Sequence, residues 1–181
     1  DRIKTIEFVE FCKKNYEIEI LINNAAYYSI SLIDSEIQFN EIDDYMNVNL
    51  ITPYILCNSF SVGMKKRKKG KIINISSVTT KHGGSVKSIF YTITKSGLEQ
   101  LTRTLSKDYS QHNINIIALR IGVTNTKFHL KDPHKNIEER SSRIPLQRLA
   151  QPNEIADIIY SFCSDSFSFC TGAVIDITGG E

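Results

Sequence analysis

The chain has 181 residues, 41% of them hydrophobic and 23% charged, with a formal net charge of +2. That is the make-up of an ordinary globular domain long enough to bury a core. The small net charge gives no electrostatic ground for nucleic-acid binding, and no apolar run approaches the roughly 20 residues of a membrane helix. In chain order, residues 3–14 place apolar side chains at helical spacing, and Ile18–Ile22 reads as a strand closed by an Asn23-Asn24 turn. Residues 41–66 form a helical pattern that Pro53 should kink or reposition, and Met64–Lys71 reads as a basic turn. Lys71–Ile75 is a short buried strand leading into Ser76-Ser77. A long helix is expected over Phe90–Gln111 and a strand over Ile114–Leu119. Residues 122–145 have weak periodicity, and 127–144 read as a flap on the substrate side. Pro152 opens a helix to Cys163, and Val174–Ile177 is a last strand before Gly179-Gly180.

Ile-rich strands alternating with helices imply βα units: an α/β fold with a parallel sheet covered on both faces, organised as one domain over residues 1–181. Cys12, Cys57, Cys163 and Cys170 have irregular spacing without zinc-site pattern. They read as free thiols of a reducing compartment, so a cytoplasmic location is expected. His82, His112, His129 and His134 lie in polar, loop-like stretches and are given no role; no metal site is expected. The chain opens on Asp rather than Met, directly in a helical pattern, so further N-terminal residues are expected.

Tyr91 and Lys95 are four apart in a helical segment and share a face. A phenol with an ordinary pKa of about 10 is a poor acid or base at neutral pH, and a neighbouring ammonium lowers it. The spacing alone is weak: in a chain of this composition about 0.7 such pairs arise by chance. Context strengthens it. Ser77 ends a buried strand at its C-terminal end, where open α/β sheets bind ligands. Asn49 lies one turn before Pro53, where a helix distortion can hold a water.

Asn23-Asn24-Ala25-Ala26, Val48-Asn49-Leu50, Ile73–Val78 with Ser77, Tyr91–Lys95, and Pro145–Leu149 through Gly179-Gly180 follow one another in an order that resembles the short-chain dehydrogenase/reductase family. The pattern is closest to 3-oxoacyl-(acyl-carrier-protein) reductase-like members. The resemblance implies a Rossmann-like doubly wound parallel sheet, of which this chain carries the C-terminal two-thirds. It also implies an oxidoreductase that passes hydride between NAD or NADP and a carbonyl/alcohol substrate. By the same resemblance Tyr91 is the general acid/base, Lys95 assists it and holds the nicotinamide ribose, Ser77 polarises the substrate oxygen, and Asn49 anchors a water. Asn23, Ala25, Gly122, Val123, Thr124 and Thr126 are implied to line the cofactor together with Tyr91 and Lys95.

The family's Gly-rich phosphate loop has no counterpart, so the N-terminal roughly 60–70 residues of the fold are expected to lie outside this chain. A truncated, inactive binding or assembly protein is the competing reading. Ala26 stands for the usual Gly. The Ser77–Tyr91 loop is one residue longer than usual. Ile121 replaces a Pro, a change expected to loosen the loop that follows. The resemblance further implies a small-molecule or carrier-bound carbonyl substrate and a homotetramer or homodimer. Lys65–Lys69 is a candidate dock for an acidic carrier, although a solvated turn between helix and strand is the simpler reading.

Overall fold

A computed structural model describes residues 1–29, 39–126 and 136–181. Helix α1 (Arg2–Asn15) is capped by the Asp1 carboxylate and leads to strand β1 (Ile20–Asn23). Next come α2 (Phe39–Met46), a π-helical turn (Asn47–Ile51) and α3 (Thr52–Arg67). Strand β2 (Gly70–Ser77), the short α4 (Thr79–His82) and the long α5 (Ile89–Tyr109) follow. The chain then runs through β3 (Ile114–Ile121), α6 (Ile137–Ser142), α7 (Pro152–Phe162) and β4 (Val174–Ile177). His129 and His134, and part of the expected flap, fall outside the described residues; the rest of that flap carries α6.

The four strands are parallel and ordered β1-β2-β3-β4. Alternate residues along the strands face opposite layers. Leu21, Ile72, Ile114 and Ile116 pack against Val9 and Cys12 of α1, Cys57, Phe60 and Met64 of α3, and Tyr109 of α5. Ile73, Ile75, Ile117 and Leu119 pack against Phe162 of α7 on the other face. The sheet is therefore doubly wound, as expected. Because strand order follows chain order while α7 crosses the face opposite α3 and α5, the third crossover has the opposite hand to the first two. Among the described strands β1 is an edge, and its Ile20 and Ile22, which point away from the α3 layer, are each 42% exposed.

Pro53 repositions the helix start. It falls in the first turn of α3, and the distortion is taken up by the preceding π turn, where the Thr52 N–H reaches back five residues to the Asn47 carbonyl. The reason is that Pro53 has no N–H for the Asn49 carbonyl and its ring crowds that carbonyl. The expected basic turn is also shorter. Helix α3 continues to Arg67, its last turn carrying Lys65, Lys66 and Arg67 where cations suit the helix dipole. Only Lys68 and Lys69 turn the chain. Lys65 pairs with Asp108, Lys69 pairs with Glu19 at 3.1 Å, and Arg67 donates to the Ile18 carbonyl at 2.7 Å. This run precedes the start of β2, at the edge of the sheet opposite the strands' C-terminal ends.

Lys68 is exposed and caps α3 at φ 52, in the left-handed region where a Cβ is strained. Lys68→Gly is expected to stabilise the fold by roughly 1 kcal/mol. A thermal midpoint that stays level or falls in calorimetry would contradict this account of the cap.

Candidate active site

Every segment that leaves the C-terminal end of the sheet borders one cavity of about 830 Å³. It is lined by Asn24, Ala25 and Ala26 after β1, Ser77–Thr79 after β2, Tyr91 and Lys95 of α5, and Gly122–Thr124 with Thr126 after β3. Tyr28, His82, Arg140, Arg143 and Glu181 complete its wall. This is the position at which open α/β sheets bind ligands.

Ser77 is 7% exposed, at the last ladder position of β2 opposite Ile121. Its hydroxyl receives the Thr79 hydroxyl at 3.1 Å and favours the phenolate of Tyr91. One residue earlier, Ser76 turns the other way and donates to Glu99. The strand's pleat thus decides which serine faces the cavity.

Lys95 is 2% exposed, and its ammonium donates to the Ile75 carbonyl at 2.7 Å. It lies 5.7 Å from the centre of the Tyr91 ring. Burial lowers Lys95 from 10.5 to about 8. Burial also governs Tyr91: it pushes the phenol from 10.0 to about 12, outweighing the hydrogen bond from Ser77, which favours the phenolate. The expectation that Lys95 depresses Tyr91 therefore does not describe this state, in which desolvation dominates. The Tyr28 ring stands edge-on to Tyr91 at 5.4 Å and adds to the apolar surroundings.

Asn49 is fully buried on the π turn. Its Oδ1 accepts the Tyr27 N–H at 2.7 Å, and its Nδ2 donates to the Tyr27 carbonyl at 3.0 Å and to Thr94 Oγ1 at 3.2 Å. The side chain ties the loop after β1 to α5 beside Lys95. The polar group at this residue left without its α-helical partner is the backbone carbonyl facing Pro53. Asn23 is 6% exposed and turned inward: its Nδ2 donates to Asn74 Oδ1 at 2.7 Å, and the cavity wall begins at Asn24. Tyr45, absent from the sequence reading, is completely buried and exchanges hydrogen bonds with the Ser29 N–H and carbonyl, holding the same loop from behind.

Gly122 lies so close to β4 that a Cβ there would sit 2.9 Å from the Thr178 Cα. Its N–H donates to the Ile177 carbonyl at 2.9 Å, and the next turn pairs Thr124 with Ala150. Val123 packs with Ile144 and Leu149. The loop is not loosened by Ile121. With an N–H and a β-branched side chain in place of a Pro, that residue extends the ladder and accepts the Val78 N–H at 3.0 Å. Among the described residues no group of His, Cys, Asp and Glu is placed to hold a metal ion. Nor is any described helix long and apolar enough to cross a membrane.

This fold and cavity define a Rossmann-like α/β protein with a Ser–Tyr–Lys site. The family model described as enoyl-(acyl carrier protein) reductase matches residues 5–181. The 3-oxoacyl-(acyl-carrier-protein) reductase FabG of Thermotoga maritima is 34% identical over 181 residues, covering 99% of this chain and 73% of the relative. Its counterpart from Buchnera aphidicola subsp. Acyrthosiphon pisum is 30% identical, with 97% and 71% covered. A crystal structure described as an NAD(P)-dependent gluconate 5-dehydrogenase from Beutenbergia cavernae, with bound NADP, superposes with a TM-score of 0.89 at 25% identity, covering 97% of this chain and 71% of that one. The chain belongs to the short-chain dehydrogenase/reductase family of NAD(P)-dependent oxidoreductases, and it spans about 73% of the length of the first of these relatives.

Lys95 provides a test of site electrostatics that needs no substrate. Its folded pKa of about 8 lies below its ordinary 10.5. Between these values the unfolded chain binds more protons than the folded one, so stability rises with pH across that window. Relative to Lys95→Met, the wild type should gain about 3 kcal/mol from pH 8 to pH 10.5, read from urea unfolding at intervals between. A constant difference between the two proteins would mean that the ammonium is not desolvated.

Proposed function

We propose that this chain carries the proton-transfer machinery of a carbonyl/alcohol oxidoreductase, with Tyr91 as general acid in reduction and general base in oxidation. The observation that carries this reading is the meeting of Ser77 and Tyr91 in one cavity, with Ser77 acting on the phenol, and with a buried Lys95 one helical turn away. A substrate oxygen seated between the two hydroxyls is oriented by both, and Tyr91 delivers or takes the proton. At neutral pH the phenol is protonated, which suits donation to a carbonyl.

The cavity suits a nicotinamide. Ala25 and Ala26 present small side chains, while Gly122–Thr124 and Thr126 offer backbone and hydroxyl groups across from them. When bound, that cofactor supplies or accepts the hydride. Among the described residues the one acceptor of the Lys95 ammonium is the Ile75 carbonyl, so its remaining donors suit the hydroxyls of a ribose. The Asn49 carbonyl, deprived of its α-helical partner by Pro53, is the natural holder of a water. The Asn49 side chain acts instead as a brace.

A 3-oxoacyl thioester or another small carbonyl compound is the substrate class this reading favours, by analogy with the FabG relatives. Lys65–Lys69 contributes nothing to it at the cavity, since that run lies at the far edge of the sheet and is engaged locally. Exposed Tyr54, Val62, Ile89 and Ile93 on α3 and α5 support assembly into a homodimer or homotetramer.

In the full-length gene product, Tyr91→Phe is expected to lower turnover of an acetoacetyl thioester with NADH or NADPH by about 10²–10⁴-fold while nicotinamide binding and thermal midpoint hold. Turnover within a factor of about two of wild type would remove Tyr91 from the chemistry.

A further inference from the structure

The Glu99 carboxylate lies two turns past Tyr91 on α5 and is buried, its side chain 4% exposed. It gathers donors from three other parts of the molecule. Arg120 of β3 binds it with two nitrogens, Nε to Oε1 at 2.8 Å and Nη2 to Oε2 at 2.7 Å. Ser76 of β2 donates at 2.8 Å, and the Thr80 hydroxyl of α4 also reaches Oε1. Arg103, one turn on, stands 3.5 Å away at the solvent side. Arg120 continues outward to Asp176 of β4 at 3.1 Å, and Asp176 to Lys81 at 3.0 Å. Burial would raise the Glu99 pKa, but the hydrogen bonds from Arg120, Thr80 and Ser76 outweigh it and hold the carboxyl below its usual value. It is charged at neutral pH.

These contacts surround the Ser77–Tyr91–Lys95 geometry without touching the reacting atoms. Ser76 precedes Ser77. Thr80 also lies 2.8 Å from the Ser77 carbonyl. Lys95 is on the turn just before Glu99, and its own carbonyl lies 3.5 Å from Ser76 Oγ. Helix α5 carries Tyr91, and β2 with α4 carries Ser77. The carboxylate is the point at which the two carriers are fastened together.

We infer that Glu99, clamped by Arg120, is a positioning residue that fixes the distance between Ser77 and Tyr91, and with it the rate of proton transfer. The inference rests on the proposed oxidoreductase reading. A charged, bidentate pair suits this task because its planar fork fixes angle as well as distance. A buried carboxylate also costs desolvation, so a role in fold stability alone would be served as well by apolar contacts of the same volume. Burial is the one cause that sets the Lys95 pKa. Glu99 therefore acts on geometry rather than on the charge state of Lys95.

The experiment compares Glu99→Gln with wild type in the full-length enzyme, by steady-state kinetics over pH and by amide hydrogen exchange without substrate. Expected are a kcat lowered about tenfold or more, KM within about twofold, and an unshifted pH profile. Exchange at the Val78 and Thr79 amides should accelerate, while that at Ile72 and Ile73, at the other end of β2, holds. An active wild type whose kcat is unchanged by Glu99→Gln, at any stability loss, overturns the inference. If wild type turns over no carbonyl, the oxidoreductase reading fails, and the exchange pattern alone decides: unaltered exchange at Val78 and Thr79 overturns the positioning role. Should Glu99→Gln not fold, Thr80→Val removes one hydroxyl of the clamp at constant volume and is read against the same outcomes.

Discussion

The parallel ladder between β2 and β3 is the constraint on which the rest of the molecule depends. It runs in unbroken register from Gly70 opposite Ile114 to Ser77 opposite Ile121. At its C-terminal end both strands release the chain at one level, one into Ser77 and α4, the other into Gly122 and the cavity loop. Because the ladder is buried on both faces, a slip by one residue would exchange the α3-side set Ile72, Ile114 and Ile116 for the α7-side set Ile73, Ile117 and Leu119. It would also turn Ser76 rather than Ser77 toward the cavity. The packing that makes the sheet stable is thus the same packing that selects the serine.

Two ionisable groups sit beyond this end with their pKa values moved in opposite senses by one cause. Burial disfavours both charges, so the phenol of Tyr91 rises to about 12 and the ammonium of Lys95 falls to about 8. The two groups are therefore brought toward neutrality together, a state that favours a protonated tyrosine. Ser77 pulls against desolvation, and anything that adds positive charge or polarity to the cavity shifts the balance toward phenolate. Asn49 and Tyr45 hold the loop after β1 against this site with side chains whose polar atoms are engaged with backbone.

Much of this was legible in the sequence, for identifiable reasons. Strands rich in Ile and a helix of 21 residues give strong periodic signals. The order of motifs around Ser77, Tyr91 and Lys95 placed the site at the strand ends where the cavity lies. What escaped was whatever depends on a partner distant in the chain. Glu99 and Arg120 look like surface charges until the crossover from α5 to β3 brings them together. The family resemblance implies Asn23 as a cofactor-lining residue, yet the pleat turns its side chain inward to Asn74, 51 residues away. Tyr45 gave no signal, since its acceptor is a backbone carbonyl. Pro53 was read correctly as a disturbance, but a sequence does not say whether a helix answers a proline by bending or by inserting a wider turn.

The reversed hand of the last crossover has a consequence for the order in which the protein matures. The cavity loop after Gly122 is held by residues made much later: Gly122 by Ile177, Val123 by Ile144 and Leu149, and the 144–146 stretch in turn by Gly179, whose φ of 71 lets the chain nest against Ile144. Arg140 reaches still further along, to Glu181. A nascent chain can therefore assemble its serine, tyrosine and lysine as soon as β2, α5 and β3 have emerged from the ribosome, while the opposite wall waits for β4 to follow the crossover over the far face and dock. Until then the pocket is half a mould, open on the side that β4 and Gly179 later hold.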